Sequence, residues 1–204
     1  MTDGTPGRRL TDQGKERKQQ LVDQAAILFA ERGYDDTRIV DICAGAGVAK
    51  GLFYWYFENK EALFAELVRS MRLRLRTAQA DAIDLGADPL VRIRQGTEAS
   101  VRFMAQHRAF FALLEVEQRS NSLAGVLREG TEVHAADTAR LVKEAQAEGV
   151  IPEDRDPQLL ALGVVGAVAH FSHFHRSGRV EMNVDDLARF VGDWVTAALR
   201  GEGR

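Results

Sequence analysis

Apolar residues recur at helical spacing along most of the chain, and the breaks between the repeats fall at Gly, Pro and Ser-Asn clusters. Leu21, Ala25, Leu28 and Phe29 stand at i, i+4, i+7 and i+8, which predicts a first helix over Lys15–Arg32 that Gly33 stops. Ile39, Ile42 and Cys43 line one side of a short second helix, for which Thr37 offers a hydroxyl cap. Gly45-Ala46-Gly47 interrupts the pattern, because glycine enters the left-handed backbone region that a sharp turn needs. Val48 and Leu52 open a third short helix with Phe53 on its inner side, and Phe57-Glu58-Asn59 turns the chain. From Lys60 to about Gln79, Leu63, Phe64, Leu67, Val68, Met71 and Leu75 form one stripe, while Arg69, Arg72, Arg74 and Arg76 mostly face outward.

Beyond a break at Asp84–Asp88, Pro89 suits the first turn of a helix that runs to about His107. Further helices are expected over Arg108–Gln118 and, after Ser120-Asn121-Ser122, over Leu123–Glu148, with Val126, Leu127, Val133, Leu141 and Val142 apolar. Gly149 ends that helix, and Pro152–Pro157 is a polar loop. Gln158 to about Ser177 is apolar around more than one stripe and rich in small residues, including Ala161, Gly163, Gly166, Ala167 and Ala169. Leu187, Phe190, Val191, Trp194, Val195 and Ala198 keep helical spacing over Val184–Arg200. A glycine inside a helix costs about 0.5–1 kcal/mol, and close helix–helix approach would explain it. The last two helices and their twofold copies would make a four-helix bundle, with Gly163, Gly166, Ala167, Leu187, Phe190, Val191, Trp194 and Val195 at its interface. The expected fold is all-α with about nine helices, since only four prolines and no strong alternating β-branched run occur. A flexible arm (1–14) precedes a three-helix domain (15–60) and a larger helical domain (61–204).

Two short helices joined by a glycine-bearing turn make a helix-turn-helix, whose second helix fits the DNA major groove. Lys50, Tyr54, Trp55, Tyr56 and Lys60 put cations and aromatic donors into one short stretch, suited to phosphate contact. Arg38 can also bond phosphate, and Leu52 can touch a thymine methyl. Phe53 and Phe57 are read as core. Arg8 and Arg9 belong either to a solvated tail or to an arm that reaches the neighbouring minor groove.

Thr37, Ile42, Ala46, Gly47, Val48, Lys50, Gly51, Tyr54, Phe57, Lys60 and Leu63 match the spaced pattern of one family, so that the segment resembles the DNA-binding region of TetR-type transcriptional regulators. Three positions depart from the pattern: Ala49 stands at a usual Ser and removes a helix cap worth ~1 kcal/mol, Leu52 replaces Thr, and Tyr56 replaces His. The resemblance implies DNA contact at Lys50, Gly51, Tyr54, Trp55, Tyr56 and Lys60, with Gly51 allowing close backbone approach. It also implies a homodimer paired through the last two helices and an effector that shifts the helix starting at Lys60.

Composition adds limits. The chain has 204 residues, 45% of them hydrophobic, enough for sizeable cores. Its single cysteine excludes an intrachain disulfide framework and fits a reducing, cytoplasmic setting. Met1–Gly14 lacks the apolar region of a signal peptide, and no run of about 18 apolar residues is apparent, so no membrane partner is expected. The net charge is −3, yet residues 1–76 hold 13 Lys and Arg against 11 Asp and Glu, while the remainder holds 14 against 19. DNA binding needs a local cationic face rather than a basic whole.

Candidate lining for a small hydrophobic effector is Phe103, Phe110, Phe111, Leu114, His134, His170, Phe171 and Phe174, although the same aromatics fit a plain core. His170, His173 and His175 leave three readings open: satisfied core or interface histidines, a polar cavity wall, or two metal ligands at i, i+3. No carboxylate or cysteine adjacent in sequence completes a metal site, so no metal and no cofactor is expected. Cys43 reads as a small core residue, and Glu115 and Glu117 as a solvated face. No Gly-rich phosphate loop, nucleophile elbow or zinc spacing supports an enzyme. The expectation is a homodimeric repressor of operator DNA released by a small hydrophobic ligand. The alternatives are a ligand-independent DNA-binding protein or an activator.

Overall fold

The computed structural model describes residues 11–117 and 124–201, with side chains from 135 onward in the helix that opens at Ala124. Among the described residues there are nine helices and no strand: α1 (Asp12–Arg32), α2 (Ile39–Gly45), α3 (Lys50–Tyr56), α4 (Lys60–Ala82), α5 (Pro89–Gln106), α6 (Arg108–Glu117), α7 (Ala124–Ala147), α8 (Pro157–Arg176) and α9 (Val184–Arg200). The chain divides into two compact units, Met1–Leu67 and Val68–Arg204.

In the first unit, Leu21, Val22, Ala25, Leu28 and Phe29 of α1 are buried against Ile42, Cys43, Phe53, Phe57, Leu63, Phe64 and Leu67. The rings of Phe29, Tyr34 and Phe64 lie 5.3–5.8 Å apart, tilted or edge to face, at separations suited to aromatic pairing. Helix α1 starts at Asp12 rather than Lys15, because the Thr11 hydroxyl accepts from the Gly14 N–H at 3.2 Å. Gly33 at φ 83° stops it, and Gly47 at φ 65° makes the turn between α2 and α3. Thr37 does not cap α2. The N-cap is Arg38, whose side chain caps no helix N–H, and Thr37 is 1% exposed with its hydroxyl donating to the Gly33 carbonyl at 2.7 Å, the Leu28 carbonyl lying at 3.2 Å. It pins the end of α1 instead.

In the second unit, α5 packs on α9, α7 and α8, while α7 packs on α8. Its core holds Leu90, Ile93, Val101, Val142, Ile151, Val164, Val168 and Leu187. Asp88 caps α5 ahead of Pro89, Asp156 caps α8, and Asn183 caps α9. Gly192 lets α9 lie close to α5, since a Cβ there would meet Arg94 and Glu98 carbons at 3.1 Å.

Several expectations are corrected here. Ala167, Leu187, Val191 and Val195 are buried in this core, so they present no face to a second chain. Glu117 is buried, and Glu115 accepts from His173 Nδ1 at 2.9 Å and pairs with Arg176, so neither carboxylate lies on a merely solvated face. Helix α8 is, among the described residues, long and apolar enough by length and composition to cross a membrane, contrary to the reading of the sequence. Its inner side, with Ala161, Val164, Ala167 and Val168, packs into the core of the unit. The 120–122 break and the 1–10 part of the N-terminal arm, with Arg8 and Arg9, lie outside the described residues, as do the side chains of Val126, Leu127, Val133 and His134.

Candidate nucleic-acid interface

Helix α3 is seven residues long and held by one fully buried anchor, Phe53, with Phe57 just beyond its end. That anchoring turns Lys50, Gly51, Tyr54 and Trp55 outward, where Tyr54 and Trp55 are each 51% exposed. Lys50 Nζ sits 6.0 Å from the Tyr54 ring centre, so ammonium and phenol occupy one side of the helix. A Cβ built on Gly51 meets nothing within 4 Å, leaving the backbone open to close approach. Ala49 caps α3 without a side-chain bond, as the departure from the usual Ser predicts. Leu52, Trp55 and Tyr56 border a shallow groove whose other side is Thr11, Gly14 and Arg17 of α1. Sequence reasoning missed this side because it began the helix after Thr11, whose capping role was the available signal. Arg38 is exposed, and its guanidinium bonds Asp41 at 2.9 and 3.0 Å, which holds that carboxyl below the usual carboxylate range.

Lys60 departs from the expected phosphate role. Its ammonium donates to the carbonyls of Tyr34 (2.6 Å), Thr37 (2.9 Å) and Asp35 (3.2 Å), and lies 4.3 Å from the Tyr34 ring centre. An ammonium has three donors, and all three are taken. Lys60 therefore clamps the first residue of α4 to the loop between α1 and α2, and is removed from the phosphate-contacting set. Lys18 reinforces the same junction through Glu66 at 2.7 Å. Replacing Lys60 with Met is expected to lower the stability of this unit by about 2 kcal/mol, read by urea denaturation. An unchanged midpoint would show that the clamp is idle.

The predicted effector residues do not gather around one space. Phe103 is buried beside His107 and Phe111, with ring centres 4.3 and 6.3 Å away. Phe110 packs on Phe111, Phe171 on Phe190 and Trp194, and His170 on Phe174. Leu114 is half-buried on α6. The histidines form no metal-holding group among the described residues, and His173 is engaged by Glu115. A cavity of about 280 Å³ lies elsewhere in the second unit, between the end of α4 and helices α5, α7 and α8. None of the described candidates lines it. Gln79, Ile93, Thr97, Ser100, Leu141 and Val168 do. Burial pushes the Cys43 thiol up, the opposite of what a reactive cysteine needs.

Of the proposed pairing surface, Gly163 and Gly166 are exposed, and Phe190 and Trp194 are about half exposed. Leu159 and Leu162, 69% and 46% exposed, extend the same side of α8 as Gly163 and Gly166.

Comparison with known proteins is consistent with this geometry. The family model described as "Bacterial regulatory proteins, tetR family" matches residues 21–67. The chain is 34% identical over 192 residues to the HTH-type transcriptional repressor KstR2 of Mycobacterium tuberculosis, covering 94% of this chain and 84% of that protein. A putative TetR-family transcriptional regulator from Rhodococcus sp. superposes with a TM-score of 0.80 at 20% identity, covering 91% of this chain and 99% of that one. The transcriptional regulator FadR of Bacillus subtilis, solved in complex with stearoyl-CoA, superposes at 0.77 with 20% identity, covering 88% and 97%.

Proposed function

This chain belongs to the TetR family of transcriptional regulators, which are not enzymes, and from that membership we propose a cytoplasmic homodimeric repressor that leaves operator DNA when a small effector binds. The observation that carries the reading is the outward set Lys50, Gly51, Tyr54 and Trp55 on a helix anchored by Phe53. Lys50 and Tyr54 donate to phosphates and fix the helix in the major groove, while Gly51 permits close approach. Arg38, Trp55 and Tyr56 flank that contact, and Leu52 meets the groove from its α1 side.

Two copies pair through the bare faces of α8 and α9, where Leu159, Leu162, Phe190 and Trp194 meet their twofold mates and Gly163 and Gly166 admit close packing. Pairing sets two copies of α3 at roughly 34–36 Å, one turn of DNA. The effector enters the cavity lined by Gln79 and Ile83 near the far end of α4, the helix that Lys60 clamps at its start. An effector that fits one position of α4 better than the other shifts the spacing of the two reading heads.

The test is the double substitution Lys50→Ala with Tyr54→Ala. We expect an unchanged circular-dichroism spectrum, loss of the operator shift, and for Lys50→Ala alone a salt slope shallower by about 2 per dimer. Operator binding retained by the double variant would refute the assignment.

A further inference from the structure

We propose that the cavity in the second unit takes a compact amphipathic anion, an apolar body ending in a carboxylate, with Arg92 receiving the carboxylate. This rests on reading that cavity as the effector site.

The lining divides into an apolar floor and a cationic side. Ile83, Ile93, Leu141, Val164 and Val168 supply the floor. Three arginines line the space, Arg76, Arg92 and Arg140, against one acidic residue, Asp137. Arg76 pairs with Asp137 at 3.1 Å. Arg92 and Arg140 share Glu144, at 3.0 and 2.7 Å, so two cations divide a single counter-charge. A cationic ligand would face repulsion there, and an anion gains from the excess.

Arg92 Nε is buried and has no hydrogen-bond partner in the protein, and the Thr97 hydroxyl, on a residue 3% exposed, has none either. Both residues line this cavity. Ser100, another hydroxyl in the wall, is already committed: its Oγ donates to the Gly96 carbonyl at 2.7 Å and accepts from Gln79 Nε2 at 2.9 Å. Arg92 spends Nη1 on Glu144 and its Nε is sealed in the wall, so Nη2 is the atom left to donate to a carboxylate.

Size narrows the class further. About 280 Å³ lies at the small end of ligand pockets, which run from roughly 300 to 1,000 Å³. That space suits a short carboxylate rather than a long acyl chain carrying a nucleotide.

Octanoate and octanamide differ in charge but hardly in shape, so they serve as probes in isothermal titration with the full-length protein. We expect octanoate to bind at least tenfold tighter than octanamide. Arg92→Gln should lose at least tenfold for octanoate and leave octanamide unchanged, whereas Thr97→Val should weaken neither probe, since neither carries a polar group along its body. Should Arg92→Gln fail to fold, the two ligands on the unaltered protein and on Thr97→Val still decide the matter. Equal binding of the two probes, equal losses on Arg92→Gln, or no binding of either would overturn the proposal. An operator mobility shift with the same protein separates this from the repressor reading. Operator binding intact with octanamide preferred sinks only the anion assignment. Octanoate held at Arg92 without any change in operator affinity sinks only the effector role.

Discussion

Replacing Trp194 with Asp is expected to leave a folded but monomeric chain and to weaken operator binding by about 100-fold or more. Trp194 is 48% exposed on α9, beside Phe190 at 47%. Its inner neighbours Leu187, Val191 and Val195 hold the core, so a change on the outer side spares the fold. A carboxylate at this position would be buried without a counter-charge at the centre of the proposed pairing surface, opposite its own twofold copy. Two linked reading heads gain about 10²–10⁴ in avidity over one, and a monomer forfeits that gain. Sedimentation velocity and an operator shift at the same protein concentration measure both effects. A Trp194→Asp chain that sediments as a dimer would sink the proposed interface.

Phe29→Ala is expected to destabilise the first unit by about 3–5 kcal/mol, the usual cost of emptying a fully buried phenylalanine site. Phe29 is 0% exposed and meets both Tyr34 and Phe64 through its ring. Its loss frees Tyr34, whose carbonyl is one of the three that hold Lys60. Domains carry about 5–15 kcal/mol in total, so the variant should bind operator poorly on warming while the second unit still melts near its usual temperature. Urea denaturation followed by Trp55 fluorescence in a Trp194→Phe background reads the first unit. A midpoint shift equivalent to under 1 kcal/mol would mean that the aromatic cluster is not the keystone of this unit.

Most of the helical framework was legible because helix ends are local. Gly33 and Pro89 sit at the boundaries they mark, and the period of Leu21, Ala25, Leu28 and Phe29 is that of the buried face. The outward set on α3 was legible for the same reason, since Phe53 and Phe57 fix which side turns in. What escaped depends on how the chain folds back on itself, over 4 and 9 residues for Thr37 and over 23 to 26 for Lys60. Thr37 looks like a cap until the end of α1 folds back on it, and Lys60 looks like a phosphate ligand until Tyr34, Asp35 and Thr37 present their carbonyls. Glu115 meets His173 across 58 residues. The cavity escaped because Gln79, Thr97 and Ser100 are unremarkable polar residues in helices, whereas the aromatics that drew notice fill the interior or pack on one another.

The bare side of α8 also bears on how much active regulator a cell obtains. A freshly synthesised protomer carries Leu159 and Leu162 uncovered on a helix whose composition passes for a bilayer span, and such patches attract chaperones and proteases. The pairing proposed above, by collision of two copies, would be second order in concentration. Halving synthesis would therefore more than halve the assembled pool, and promoter occupancy would respond to gene dosage more steeply than in proportion.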